Sequence, residues 1–353
     1  MSLEVVKKKE ISIAFRCDFG LDQGYGHLMR VLSLSYVFNN FDRIKTYILT
    51  RSIITKIEKL FSNAGVRVIK LPQKAAGLSF NPGDYLRISD SFITIFDNYD
   101  VSIDQMKKYK KNYPNLVAID DLGDRIFDVD IIVNQNFQSD QIEYRTINKT
   151  KLFLGSKYAL LRNNILKAKR RKKQNHIFIS FGGGEVYDRI KGFLKLLLSI
   201  DKSLDEPITF DFVISGNSKN KGLIKFFFKK CEKLKLNFIE NEMNLSSYMS
   251  RAEFAITAAG STVYELAYLG IPQIVFVIDK NQEITGNMIN EMGLGQCLGN
   301  IKNLENVNFN ETFFSFLHDD FLKDSISKQA QSLIDGKGAK RVVEGILNHY
   351  GYS

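Results

Sequence analysis

Tryptophan is absent from the 353 residues, proline occurs five times and cysteine three. Cys17, Cys231 and Cys297 fall in different predicted elements, so they suggest neither a disulfide framework nor a paired metal spacing. Reduced thiols and a cytoplasmic setting are expected, with no metal and no cofactor. No apolar run approaches the ~20 residues that a membrane span requires, so no span is expected. The opening MSLEVVKKKE has charge but no apolar segment before the first predicted strand, and is not expected to act as a signal peptide. Aromatic residues are missing from the densest basic run, KAKRRKK at residues 167–173. A solvated linker is expected there, and no nucleic-acid partner. The scarcity of proline and tryptophan beside many Lys, Ile, Asn and Phe residues reflects genome composition as readily as function.

The remaining composition is that of an ordinary globular protein, 44% hydrophobic and 25% charged. A net charge of +10 admits anionic partners, phosphorylated metabolites and membrane surfaces among them. The length exceeds one ordinary core, and two domains follow.

Residues 11–35 hold the most informative stretch. A largely apolar run at 11–15 reads as a buried strand. A loop follows, ending in Gly24-Tyr25-Gly26, and His27 opens a helical pattern of Leu28, Val31, Leu32 and Ser35. Strand, glycine-rich loop and helix start together make an anion cradle, because free backbone N–H groups converge there. An imidazole at that junction suggests chemistry beside the anion, since neutral imidazole is a competent general base near pH 7.

Further strands are expected at 45–50, 66–71, 92–96, 116–119, 130–133 and 152–154, with a helix at 53–64. Residues 72–90 read as loop with a short helix. A second unit opens with a strand at 176–181, a Gly182-Gly183-Gly184 turn and a helix at 186–200. Strands at 208–214, 236–239, 254–257 and 273–278 follow. Helices are expected at 219–234, 245–251, 262–269, 282–292, 321–334 and 339–349. Strands alternating with helices, polar groups at the strand C-termini, predict two doubly wound parallel α/β domains. The division is set at 1–165 and 166–353, the last helix being a candidate to pack back on the N-terminal domain.

Several constellations sit at predicted strand ends. Gly182 and Gly183 permit a turn or close backbone approach to a diphosphate. Gly260 allows a sharp turn before Ser261 and Thr262, whose hydroxyls and backbone N–H groups open a helix. Glu265, one turn on, reads as acceptor for a ribose diol or as a capping-box carboxylate reaching back to Thr262. Asn281 and Gln282 open another helix on the same edge. Asp97 and Tyr99 end a strand beside the His27 loop, and Asp18 follows the first strand. These carboxylates read as orienting His27, binding sugar hydroxyls or capping loops. Asp120-Asp121 has no His or Cys partner, which favours turn capping or hydroxyl binding over metal.

Taken in order, these residues resemble a known family. Ala259-Gly260-Ser261, Glu265 and Gly270-Ile271-Pro272 look like the lipid-II-forming N-acetylglucosaminyltransferases of GT-B fold. The N-terminal half looks closer to UDP-2,4-diacetamido-2,4,6-trideoxy-β-L-altropyranose hydrolases of pseudaminic acid synthesis, grouped with spore-coat polysaccharide proteins. The resemblance covers Phe15-Arg16, Asp18, Gly24-Tyr25-Gly26-His27, Arg30, Asp97, Tyr99, Asp120-Asp121, Asn134, Arg162, Gly182-Gly183 and Asn281-Gln282. Gln23, Gly184 and the extra residues at 72–90 depart from the pattern. The resemblance implies a GT-B fold with two Rossmann-like domains facing a cleft, and a C-terminal domain binding UDP with Glu265 on its ribose. It places the catalytic histidine at His27 and an active-site tyrosine at Tyr99. The expected activity is metal-independent, inverting hydrolysis of a UDP-linked trideoxy diamino-type sugar, in nonulosonic acid or surface polysaccharide biosynthesis, by a monomer. The alternatives are transfer of the sugar to a hydroxyl acceptor, and UDP-sugar binding without turnover.

Overall fold

The computed structural model describes residues 10–19, 26–52, 55–89, 91–171, 175–182, 187–214, 221–240, 242–304 and 308–352. Gly24, Tyr25 and Gly183 of the expected site, with Gly184, lie outside the described residues. The chain divides into two compact units. The first takes in Met1–Gly20, His27–Leu160 and Lys337–Ser353, the second Leu21–Gly26 and Leu161–Gly336.

In the first unit the strands are β1 (Ile11–Cys17), β2 (Ile44–Thr50), β3 (Arg67–Lys70), β4 (Ser91–Asp97), β5 (Leu116–Ile119), β6 (Ile126–Phe127), β7 (Ile131–Asn134), β8 (Arg145–Thr146) and β9 (Lys151–Leu154). The helices are α1 (Gly26–Phe38), α2 (Thr55–Asn63) and α3 (Ile103–Lys110). Seven strands form one parallel sheet in the order β3-β2-β1-β4-β5-β7-β9, while β6 and β8 pair separately. Every residue of β1 and β4 is buried, as strands covered on both faces must be. Their register runs from Ile11 opposite Ser91 to Cys17 opposite Asp97, so both strands end level. The order reverses between β1 and β4, the switch point at which such sheets bind ligands.

Helix α3 was not expected from the sequence. It is set by a capping box in which Gln105 N donates to Ser102 Oγ (3.3 Å) and Ser102 N to Gln105 Oε1 (3.1 Å). The segment after β3 holds one 3₁₀ turn, Pro82–Asp84, and its Leu71, Ala75 and Leu86 pack with Ala14, Leu49 and Phe92. Gly77 in this segment has φ +54°, and a Cβ there would meet Gln105 Oε1 at 2.5 Å and the Asp100 carbonyl at 3.0 Å.

The second unit contains α4 (Asn163–Leu166), β10 (His176–Ser180), α5 (Tyr187–Ser203), β11 (Ile208–Ile214), α6 (Lys221–Phe228), β12 (Leu234–Glu240), α7 (Ser246–Arg251), β13 (Phe254–Ala258), α8 (Thr262–Tyr268), β14 (Gln273–Val277), α9 (Glu283–Glu291), β15 (Gly295–Asn300), α10 (Phe309–His318) and α11 (Asp320–Leu333). Its parallel six-stranded sheet runs β12-β11-β10-β13-β14-β15. Phenylalanines fill the core: Phe193 meets Phe181, Phe276 and Phe309 edge-on, with ring centroids 5.1, 5.7 and 5.6 Å away. The helix expected over 219–234 is shorter: α6 ends at Phe228 and β12 begins at Leu234. β15 and α10 were also not expected. The last helix, α12 (Gly338–His349), belongs to the first unit. Gly345 lies so close to the Phe153 ring of β9 that no side chain fits between them. Among the described residues no helix is long and apolar enough to cross a membrane.

Candidate active site

Parallel pairing brings the ends of β1, β4 and β5 to one edge of the first sheet, and α1 starts there because it follows β1. His27 and Arg30 are the second and fifth residues of α1, so they share a face. Asp97 is the last residue of β4; Tyr99 and Asp121 lie just beyond β4 and β5. These five side chains form one network.

His27 Nδ1 lies 2.5 Å from Asp97 Oδ1. Arg30 grips the same carboxylate with Nε on Oδ2 (3.0 Å) and Nη2 on Oδ1 (2.8 Å), and donates from Nη1 to Asp121 Oδ1 (2.6 Å). Tyr99 donates its hydroxyl to Asp121 Oδ2 (2.6 Å), and its ring meets the imidazole edge-on at 4.9 Å. The same Nδ1 lies 2.8 Å from Arg30 Nη2, so a carboxylate and a guanidinium together fix the ring. Burial works against ionising Asp97, but Arg30 and His27 outweigh it and hold the carboxyl below its ordinary range. Burial likewise opposes the Asp121 carboxylate, and Arg30 and Tyr99 overcome it, leaving its pKa at about 2. Burial and then the Asp121 charge push the Tyr99 phenol upward, so it stays a donor at neutral pH. The arrangement is preorganised: an imidazole held by a carboxylate, and a carboxylate held by a guanidinium.

Asp18 is held in a second network. The fully buried Arg16 donates to both its oxygens at 2.7 Å, Arg51 adds Nε (2.7 Å) and backbone N (2.9 Å), and Asn98 Nδ2 lies at 3.4 Å. Arg16 also donates to the carbonyls of Gly77 (2.8 Å) and Ala75 (3.0 Å), so this pair ties the segment after β3 to the end of β1. Asp120 caps the turn after β5 through the N–H groups of Leu122 (3.0 Å) and Gly123 (2.6 Å). Arg125 clamps the neighbouring backbone, donating to the carbonyls of Tyr99 (2.5 Å) and Val101 (3.1 Å) and to Asp120 Oδ1 (3.2 Å). No sequence signal marked Arg125; it stands in no motif.

In the second unit Ser261, Thr262 and Glu265 stand at the start of α8. Gly182 has φ +94° with open space where a Cβ would stand. Ser261 precedes α8 in helical conformation, and its side chain makes no capping bond. Glu265 is buried, and Arg162 engages both of its oxygens, Nε on Oε1 at 2.6 Å and Nη2 on Oε2. Arg162 Nη1 donates to the Met243 carbonyl (3.0 Å). Gln282 accepts from the Ile278 N–H (3.0 Å) and lies beside Gly260, while Asn281 is exposed. Gly26 and Thr262 are half-buried, each in the first turn of its helix. No group of three or more His, Cys, Asp or Glu side chains suited to a metal ion occurs among the described residues.

No family model matches the chain. Over 355 residues it is 25% identical to the uncharacterized protein MJ1062 of Methanocaldococcus jannaschii, covering 96% of this chain and 67% of that one. It is 22% identical over 265 residues to the spore coat polysaccharide biosynthesis protein SpsG of Bacillus subtilis, covering 73% and 77%. The crystal structure of MurG from Acinetobacter baumannii superposes with a TM-score of 0.60 at 12% identity, covering 96% of this chain and 99% of that one. A UDP-N-acetylglucosamine 2-epimerase superposes with a TM-score of 0.61 at 11% identity, covering 98% of each. These likenesses, with the two parallel sheets, establish the fold as GT-B.

Proposed function

We propose that this chain is a UDP-sugar-processing enzyme, and specifically a hydrolase that removes UDP from a UDP-linked trideoxy diamino-type sugar. The observation that carries the reading is the His27–Asp97–Arg30 relay, 2.5 Å from imidazole to carboxylate, at the switch point of a GT-B sheet. The names of SpsG and of the UDP-N-acetylglucosamine 2-epimerase support polysaccharide and UDP-sugar chemistry.

In this reading a water oxygen attacks the anomeric carbon while the bond to the UDP oxygen breaks, with inversion. The water proton goes to His27 Nε2, and Asp97 stabilises the imidazolium that results. Tyr99 and Asp121 bind sugar hydroxyls, with Asp18 holding the strand end. The glycines Gly24, Gly26, Gly182, Gly183 and Gly260, with Tyr25, let backbone approach the substrate. Ser261 and Thr262 take the diphosphate at the start of α8, and Asn281 and Gln282 complete the nucleotide site. Glu265 takes the ribose: a carboxylate has about four lone-pair sites, and Arg162 uses one on each oxygen.

The test is UDP release from a UDP-linked trideoxy diamino sugar without acceptor, expected to yield free sugar and UDP in equal amounts. His27→Ala should lower turnover by ~10²–10⁴ while UDP binding persists. Release only on adding a hydroxyl acceptor would make the enzyme a glycosyltransferase instead. Tight binding with no release under either condition would leave a binding protein.

A further inference from the structure

Helix α6 has more apolar surface than its fold consumes. Ile224 and Phe228, one turn apart, are buried against the second unit's core, and they suffice to seat the helix. Leu223 and Phe226 stand away from that stripe, 49% and 58% exposed. Lysines crowd around them. Residues 221–235, KGLIKFFFKKCEKLK, contain six lysines and a single acid, Glu232. Lys230 Nζ sits 4.6 Å from the Phe226 ring centroid and Lys225 Nζ 5.2 Å from that of Phe238. Lys221 and Lys225 both face Glu240, whereas Lys229 and Lys230 have no carboxylate within salt-bridge distance among the described residues.

We propose that this face docks on an anionic lipid bilayer. Leu223 and Phe226 would enter the boundary between headgroups and acyl chains, and Lys225, Lys229 and Lys230 would lie along it with their ammonium groups at the lipid phosphates. The charge fits that occupant: lysine stems cover apolar surface while their heads reach outward, and an anionic leaflet attracts each basic residue near it. The paired apolar residues favour a bilayer over a soluble polyanion, which needs only the lysines. The contact is peripheral and is independent of the reaction proposed above.

The experiment is co-sedimentation of the full chain with vesicles of phosphatidylcholine alone or mixed with phosphatidylglycerol. Binding is expected on the mixed vesicles and weak on pure phosphatidylcholine, falling roughly tenfold when salt is raised. Leu223→Ser with Phe226→Ser should weaken binding at least about tenfold, as should Lys229→Glu with Lys230→Glu. Both side-chain pairs already face water, so thermal midpoint and nucleotide binding should be unchanged, which separates lost docking from lost folding. No binding by the unaltered protein would overturn the proposal. So would undiminished binding by the serine pair, which would reduce the patch to a general polyanion site.

Discussion

The general-base role proposed for His27 depends on a carboxylate that stays charged: Asp97 lies 2.5 Å from Nδ1, and Arg30 keeps Asp97 ionised. Asp121 shares Arg30, and its low pKa has a consequence for stability. The carboxyl titrates near 4 in an unfolded chain and at about 2 in the folded one. Between those values the unfolded state binds more protons, so stability rises with pH through this window. The contribution is complete above the unfolded value and is lost as pH falls through the folded one. It amounts to about 2 kcal/mol. Urea unfolding from pH 5 down to pH 2 should therefore show a smaller pH slope in Asp121→Asn than in the unaltered protein. Equal slopes would dissociate Asp121 from the ion pair with Arg30.

At the scale of elements, local chemistry decided which segments were legible. Buried parallel strands such as β1, β4 and β13 are short, largely apolar runs, and they stood out. Helix α3 has only Met106 and Tyr109 buried, too little for a periodic signal; its mark was the Ser102–Gln105 box. β15, with the sequence GQCLGN, has neither alternation nor a β-branched residue and pairs only because β14 offers it an edge. α10 carries Phe309, Phe313 and Phe316 at helical spacing, a signal present in the sequence. The segment after β3 reads as loop, yet Arg16 holds it through the Gly77 and Ala75 carbonyls. Gly77→Ala should test that closure. A Cβ at φ +54° crowded by Gln105 and Asp100 should cost roughly 1–3 kcal/mol, read as a lower denaturant midpoint. An unchanged midpoint would mean that the segment adjusts freely.

Over the whole molecule, the sequence reading of two Rossmann-like sheets holds, and His27, Asp97 and Tyr99 meet in space. Which side chains pair with which was less visible. Arg30 and Asp121 are remote from one another in the chain, and Arg162 meets Glu265 from 103 residues away, a pairing that no local pattern encodes. The C-terminal helix raises a matching question of completeness. Tyr350 donates to Asp130 Oδ2 (2.8 Å) and Arg341 to the Lys157 carbonyl (2.9 Å), so the helix is tied to the residue before β7 and to the turn after β9. Removing residues 337–353 deletes the buried Val342, Val343, Ile346 and Leu347 and uncovers the Phe153 ring against which Gly345 packs. Such a truncation should lower the thermal midpoint of the first unit and open β9 to protease. Unaltered protection of Phe153 would show that the helix is dispensable.

That first unit is discontinuous, resuming at Lys337 after the second has intervened. During synthesis its sheet emerges first and its last helix emerges at the end. The segment carrying His27 therefore leaves the ribosome long before the surface beneath β9 is covered. A unit begun before the second is completed after it, and β9 must wait, uncovered, while the second unit is translated.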